Sequence, residues 1–233
     1  MTHPGEQLVF ELAAAEPWSF DNFLGTCNAE AVLALRGAAA GSLADTGVLL
    51  WGAPGAGKSH LLHAAVAAAG AAQRPARAFG ARDDLAQALR LAAAGAALIA
   101  VDEVDQLDAA RQGQLFTLYN VLRASRGHLI AAAGRPPAML PLREDVRTRL
   151  GWGLVYEVLP LHDDDKPAAL LQYARSRGLP LPEDVVRYLL AHERRDMATL
   201  VGAIAALDRL SLAHKRPITL PLVRGWLQRD DAP

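Results

Sequence analysis

The 233-residue chain carries a single cysteine, Cys27, so no intramolecular disulfide can brace it. Long apolar runs are scarce too. The longest, near Leu91–Val101, is diluted by alanine and glycine and falls short of the ~20 residues a membrane-spanning helix needs. No membrane association is therefore expected. The start of the sequence shows no basic region leading into an apolar stretch, so no secretory leader is read there and a cytosolic location is expected. Charge of one sign is also not in excess: 24 Lys and Arg face 25 Asp and Glu, for a net charge of −1. A domain dedicated to reading DNA or RNA usually bears a basic stripe. Here the dense basic spots are the pairs Arg194-Arg195 and Lys215-Arg216, which read as solvated helix ends.

What is present is the composition of a globular protein, 52% hydrophobic and 21% charged. Much of the apolar share is alanine, in runs such as Ala38–Ala40 and Ala67–Ala69 that favour helix. Residues 1–17 have weak periodicity, are broken by Pro4, Gly5 and Pro17, and read as a flexible tail. Short apolar strands then alternate with helical patterns. Strands are expected at Val48–Trp51, Ala76–Phe79, Leu98–Val101, Leu129–Ala133 and Leu154–Val158. Helices are expected at Ser59–Ala69, from Asp83 or Asp84 to Ala93, at Ala109–Arg126 and at Leu142–Leu150. Continuously apolar strands separated by helices predict an α/β fold, a parallel sheet covered on both faces. After Leu161 the pattern turns helical, with Asp163–Arg177, Pro182–His192, Met197–Ala213 and Pro221–Gln228 as the segments. The expected division is a tail over 1–17, an α/β core over 18–160 and a small all-helical domain over 161–233.

The chemistry concentrates in Gly52-Ala53-Pro54-Gly55-Ala56-Gly57-Lys58-Ser59. This is a complete P-loop, preceded by a strand and opening a helix, the context the motif requires. Its glycines let backbone N–H groups turn inward around phosphate oxygens, and the helix N-terminus adds a positive dipole end. Lys58 supplies a cation for β- and γ-phosphates and the Ser59 hydroxyl a ligand for Mg²⁺. The expected nucleotide-binding set is Gly52, Pro54, Gly55, Ala56, Gly57, Lys58, Ser59 and the adjoining His60. Four apolar residues then end in Asp102-Glu103. An acid pair at a strand end beside a P-loop assigns Asp102 to the Mg²⁺ shell and Glu103 to the attacking water. The expected ligands are ADP or ATP with Mg²⁺.

Further segments resemble the DnaA family of bacterial replication initiators, which are AAA+ proteins. They are Trp18-Ser19-Phe20-Asp21-Asn22-Phe23 with Gly25 and Asn28, then Ser59-His60-Leu61-Leu62-His63-Ala64, Arg135-Pro136-Pro137, and Arg149-Leu150-Gly151-Trp152-Gly153-Leu154. The resemblance runs from about Trp18 to Leu227. It implies an AAA+ core followed by a helical lid. It implies that the segment bearing Phe23 and Asn28 lies against the adenine. It also implies that Arg149 is an arginine finger acting across a subunit interface, with Arg147 a weaker alternative. Two positions depart from the family. Gly134 stands where a polar residue senses the γ-phosphate, and Ala198 stands where a lid arginine reaches the nucleotide. Groups that stabilise charge on a transferring phosphoryl are each worth roughly 10²–10⁵ in rate, so slow intrinsic turnover is expected.

The sequence has no counterpart to the DNA-reading C-terminal domain or the N-terminal domain of the initiators. It opens instead with Gln7-Leu8-Val9-Phe10-Glu11-Leu12, which resembles the motif that docks replication proteins on the β sliding clamp. Gln7, Leu8, Phe10 and Leu12 would fill a hydrophobic pocket while the backbone pairs with an edge. Together these features are similar to the regulatory homologues within the DnaA family. The resemblance implies a regulator of replication initiation that acts with the DNA-loaded clamp to promote hydrolysis of DnaA-bound ATP. Its partners would be DnaA and the clamp, and a homo-oligomer is compatible with it. The alternatives are an AAA+ helicase loader and an autonomous DNA-remodelling ATPase.

Overall fold

A computed structural model describes residues 18–24, 27–193, 196–214 and 216–230, with backbone alone for 198, 214 and 228–230. Gln7, Leu8, Phe10, Leu12 and Gly25 lie outside the described residues. The chain divides into two compact units at Leu161/His162.

The first unit is built on five parallel strands: β1 (Gly47–Trp51), β2 (Ala76–Phe79), β3 (Leu98–Val101), β4 (His128–Ala133) and β5 (Leu154–Glu157), in the order β2-β3-β4-β1-β5. Parallel neighbours need crossover connections, and the helices α1 (Ala29–Ala40), α2 (Lys58–Ala71), α3 (Leu85–Ala93), α4 (Ala109–Ala124) and α5 (Glu144–Gly151) provide the cover. Successive strand residues point to opposite faces, so each central strand feeds two cores. Val48, Leu50, Leu98, Ala100, Ile130 and Ala132 pack with Leu35, Leu61 and Leu62 of α1 and α2. Leu49, Ile99, Val101, Leu129 and Ala131 pack with Leu85, Leu115, Leu118 and Leu122 of α3 and α4. Double-sided burial is why these strands read as unbroken apolar runs.

Helix α1 is absent from the sequence expectation. Leu33 is 72% exposed while alanines at 31, 34, 38 and 39 are buried, so no leucine stripe marks its inner face. It ends at Gly41, whose left-handed backbone (φ 77°) returns its N–H to the last carbonyls. Strand β4 begins one residue earlier than expected, at His128. Arg74 explains this polar strand residue. Its guanidinium donates to the carbonyls of Ala38 and Ala39 at the end of α1 (2.5 and 2.8 Å) and lies 3.2 Å from His128 Nδ1. A guanidinium has no acceptor, so Nδ1 must accept. His128 Nε2 then carries the hydrogen and donates to Leu43 O at 3.0 Å. The neutral ring closes the network with both of its nitrogens partnered. Helix α5 starts at Glu144 rather than Leu142, because Leu142 is buried in the core and Arg143 N–H bonds to Gln112 Oε1.

The second unit is helical: α6 (Lys166–Ser176), α7 (Glu183–His192), α8 (Met197–His214) and α9 (Leu220–Asp230). Leu170, Tyr173, Val185, Leu189, Leu200, Ile204, Leu207 and Val223 form its interior. Asp196 caps α8, accepting from the Thr199 N–H and hydroxyl at 2.9 Å each. Among the described residues no helix is long and apolar enough to cross a membrane.

Burial pushes the His128 imidazole below its ordinary value near 6.5, and the facing Arg74 charge pushes the same way, against the Leu43 hydrogen bond. His60 is lowered as well, chiefly by burial. The unfolded chain therefore takes up protons at these rings before the folded chain does. Their contribution is full above about pH 6.5 and declines as pH falls through that value. Urea unfolding at pH 7.5 and 5.5 should show lower stability at 5.5, with a shallower dependence in His128→Gln. Equal pH slopes for parent and variant would contradict the assignment of His128 as a neutral, buried acceptor.

Candidate nucleotide site

A parallel sheet brings the C-terminal ends of all its strands to one edge. Five junctions meet there: Gly52 after β1, Gly80 after β2, Asp102 after β3, Gly134 after β4 and Val158 after β5. The loop after β1 turns at Gly52 (φ 153°), where a Cβ would lie 2.4 Å from Val158 O. It turns again at Gly57 (φ 101°), where a Cβ would lie 2.6 Å from the Phe23 ring. Neither position admits a side chain. Ala56 is buried, Pro54, Gly55 and Ser59 are exposed, and α2 begins at Lys58 with its free N–H groups facing the loop. Lys58 Nζ donates to Gly52 O and Ala53 O at 2.7 and 2.8 Å. The ammonium thus bonds the loop's own carbonyls at the place where phosphate oxygens would accept. Cradle, helix end and cation fit a nucleotide polyphosphate.

The acids after β3 face that cation. Burial lowers the Lys58 pKa, opposed by the charges of Asp102, Asp105 and Glu103 in that order. Asp102 Oδ1 accepts from the Glu103 N–H at 2.8 Å, and Glu103 holds a left-handed backbone (φ 50°, ψ 45°). A non-glycine residue in that region is strained by about 1 kcal/mol, and such strain collects at functional sites. Sequence reasoning missed Asp105. The signal available was its place as a third acid in Asp102-Glu103-Val104-Asp105. Strand β4 lies between β3 and β1, so Asp105 can reach its end. Asp105 Oδ2 accepts from Gly134 N–H at 3.2 Å and lies 3.2 Å from where a Cβ at 134 would be. The spot expected to be without a side chain is thus occupied by a carboxylate.

Residues 18–24 lie over the start of α2. Trp18 meets the His60 ring edge-on at 5.1 Å and stacks on His63 at 5.4 Å, and Phe23 lies 5.5 Å from His60. His60 Nε2 is bonded to Ser19 O at 2.9 Å. Phe23 and His60 are therefore beside the phosphate loop, with His60 holding the segment down. Asn28 is different. It is 4% exposed, and its amide both donates to Leu159 O and accepts from Leu159 N–H, at 2.9 Å each. It fastens the start of α1 to the segment after β5, and its amide nitrogen also donates to Cys27 Sγ at 3.5 Å.

Arg149 lies at the other edge of the sheet. It occupies the last turn of α5, just before Gly153, where a Cβ would strike Gly47 O at the start of β1. Gly52 follows the far end of that strand, about 17 Å along it at ~3.3 Å per residue. The side chain is half-buried, with its guanidinium 3.9 Å from the Trp152 ring centre and 5.3 Å from that of Phe116. Arg147 is half-buried on the same helix. Ala198 falls in the first turn of α8, with its side chain outside the description.

Fold and site together define an AAA+ protein: a P-loop on a five-stranded parallel sheet, acids after β3, and a helical lid. Residues 48–150 match the ATPase family associated with various cellular activities (AAA), and residues 163–227 match the lid domain of Hda. The chain thus carries an AAA module followed by a segment that matches the Hda lid domain. Among solved structures it is similar to domain III of DnaA from Thermotoga maritima, at 20% identity and TM-score 0.76, covering 94% of this chain and 99% of that one. AMPPCP-bound DnaA from Aquifex aeolicus is 23% identical with TM-score 0.69, covering 83% of this chain. This chain spans 66% of that longer protein. The RuvB Holliday junction branch migration motor of Thermotoga maritima is 17% identical with TM-score 0.68, covering 91% of this chain and 72% of that one.

Lys58→Ala removes the cation while leaving the backbone cradle. A charge-assisted bond of this kind is worth about 1.5–3 kcal/mol, so affinity for ADP or ATP should fall roughly ten- to hundredfold. Calorimetric titration tests this directly, and undiminished affinity would remove Lys58 from the phosphate site.

Proposed function

We propose that this protein regulates the initiation of chromosome replication. With the DNA-loaded β sliding clamp it promotes hydrolysis of ATP held by the initiator DnaA, and Arg149 is the group it contributes. The observation that carries this reading is the match of residues 163–227 to the lid domain of Hda, on a core similar in fold to DnaA domain III. Residues 18–160 serve as the nucleotide-binding core, 161–233 as the lid and 1–17 as a tail that docks on the clamp through Gln7, Leu8, Phe10 and Leu12. The site of action is the cytosol.

The protein's own nucleotide, ADP or ATP, is held by Gly52, Pro54, Gly55, Ala56, Gly57, Lys58, Ser59 and His60, with Phe23 over the loop and Asn28 anchoring that segment. Ser59 and Asp102 would hold its Mg²⁺, and Glu103 would orient water. This bound nucleotide supplies a structural element rather than rapid turnover. Gly134 offers no side-chain donor to a γ-phosphate, the nearby Asp105 carboxylate repels one, and Ala198 offers no cation. The parallel sheet separates Arg149 from its own P-loop, which supports action on a nucleotide held by a neighbouring subunit. A planar guanidinium delivered in trans neutralises charge on the transferring oxygens.

Arg149→Ala should leave folding, nucleotide affinity and clamp binding intact while lowering stimulation of DnaA-bound ATP hydrolysis by about 10³-fold or more. Arg149→Lys should restore little, since an ammonium lacks the two-pronged donor geometry, and Arg147→Ala should do less harm. Full stimulation by Arg149→Ala would separate this residue from the reaction.

Replacing Gln7, Leu8 and Phe10 with alanine should abolish capture on immobilised clamp with the melting temperature unchanged. Equal capture of variant and parent would end the docking role. A large fall in melting temperature would make the segment part of the fold instead.

A further inference from the structure

The surroundings of Arg149 are aromatic rather than acidic. Arg36, Arg111 and Arg143 in the same unit each pair with a carboxylate. Among the described residues Arg149 has neither an ion pair nor a hydrogen bond from its side chain. Its guanidinium carbon lies over the Trp152 ring at 3.9 Å instead, with Phe116 at 5.3 Å. Trp152 is 53% exposed, a large share of an indole to leave in water. It follows Arg149 by three residues, on the same helical face, and its N–H donates to Arg149 O at 3.3 Å. Arg123 approaches the same ring at 5.8 Å.

Stacking engages the face of a guanidinium and leaves its five N–H groups, which lie in the plane, free to donate. An acidic partner would bind those donors and compete with phosphate oxygens. An aromatic face holds the side chain in one orientation without that competition. We infer that Trp152 is a positioning residue for Arg149, its exposed indole holding the guanidinium flat with the N–H fork turned outward toward a phosphoryl group on a neighbouring subunit. This rests on the reading of Arg149 as the finger. The contribution is orientational: a side chain with four rotatable bonds is held near the geometry that the reaction uses.

The test uses the full chain as Trp152→Phe, Trp152→Leu and Arg149→Ala, with two readouts. The first needs no partner. The Arg149 Nε–Hε resonance, assigned by its loss in Arg149→Ala, should be displaced by the indole ring current in the parent and return to an ordinary position in Trp152→Leu. The second is the stimulated hydrolysis of DnaA-bound ATP with clamp and DNA, measured against the concentration of this protein. Trp152→Leu should lower the maximal rate about tenfold with the half-saturating concentration within about twofold, and Trp152→Phe should stay within about threefold of the parent. A maximal rate unchanged in Trp152→Leu overturns the inference. So does a raised half-saturating concentration at full maximal rate, which would make Trp152 a docking residue. An undisplaced Arg149 resonance in the parent overturns it as well, leaving the finger reading standing. Full stimulation by Arg149→Ala removes the finger reading and this role with it.

Discussion

The central strands are parallel and buried on both faces, and the placement of every functional group follows from that. Val48, Leu49 and Leu50 of β1 are each at most 2% exposed although they point alternately to opposite sides. Only helices on both faces can cover such strands, and parallel pairing requires each connection to return to the same starting edge. The sheet therefore has two chemically distinct rims. One gathers the C-terminal ends, with the phosphate cradle, the acids and the loop after β4. The other gathers the N-terminal ends, with Arg149 and its aromatic neighbours. No local rearrangement exchanges these rims without breaking the sheet.

At the C-terminal rim one cation and three acids face each other. Lys58 is flanked by three acids, yet its own bonds go to loop carbonyls. Those acids lie on the segment after β3, with β4 between it and β1. Polyphosphate with a divalent ion satisfies such an arrangement better than either component alone, because the metal's charge offsets the acids while Lys58 and the α2 N-terminus face the phosphates. The Asp105 carboxylate accepts from the Gly134 N–H and so ties the segment after β3 to the end of β4.

Much of the fold was legible because its signals are local. The strands at Ala76–Phe79 and Leu98–Val101 read directly from their lengths and bounding residues, and Asp84 was one of two acids expected to cap α3. Helix α1 was not legible. Four of its five buried residues are alanines, whose burial depends on how closely α2 approaches rather than on any apolar stripe. His128 fell outside the expected strand because its fitness for one comes from Arg74, distant in sequence, and from the carbonyl of Leu43. Asn28 could be singled out by resemblance, but its engagement with Leu159 spans most of the first unit and has no local trace.

The sequence by itself determined the phosphate cradle, the acids after β3 and the parallel sheet between helices. Each is encoded in contiguous residues whose backbone conformation or periodicity is constrained locally. Tertiary structure alone decided three other things. It brought Asp105 to Gly134, because strand order rather than chain order makes β3 and β4 neighbours. It put the α5 arginine at the rim opposite the P-loop, because parallel strands share one direction. It brought Phe116 of α4 within reach of that arginine, because a helix end and the flank of α4 must meet before that ring can approach the guanidinium. These are contacts between segments far apart in the chain, and their energies exist only once the sheet has closed.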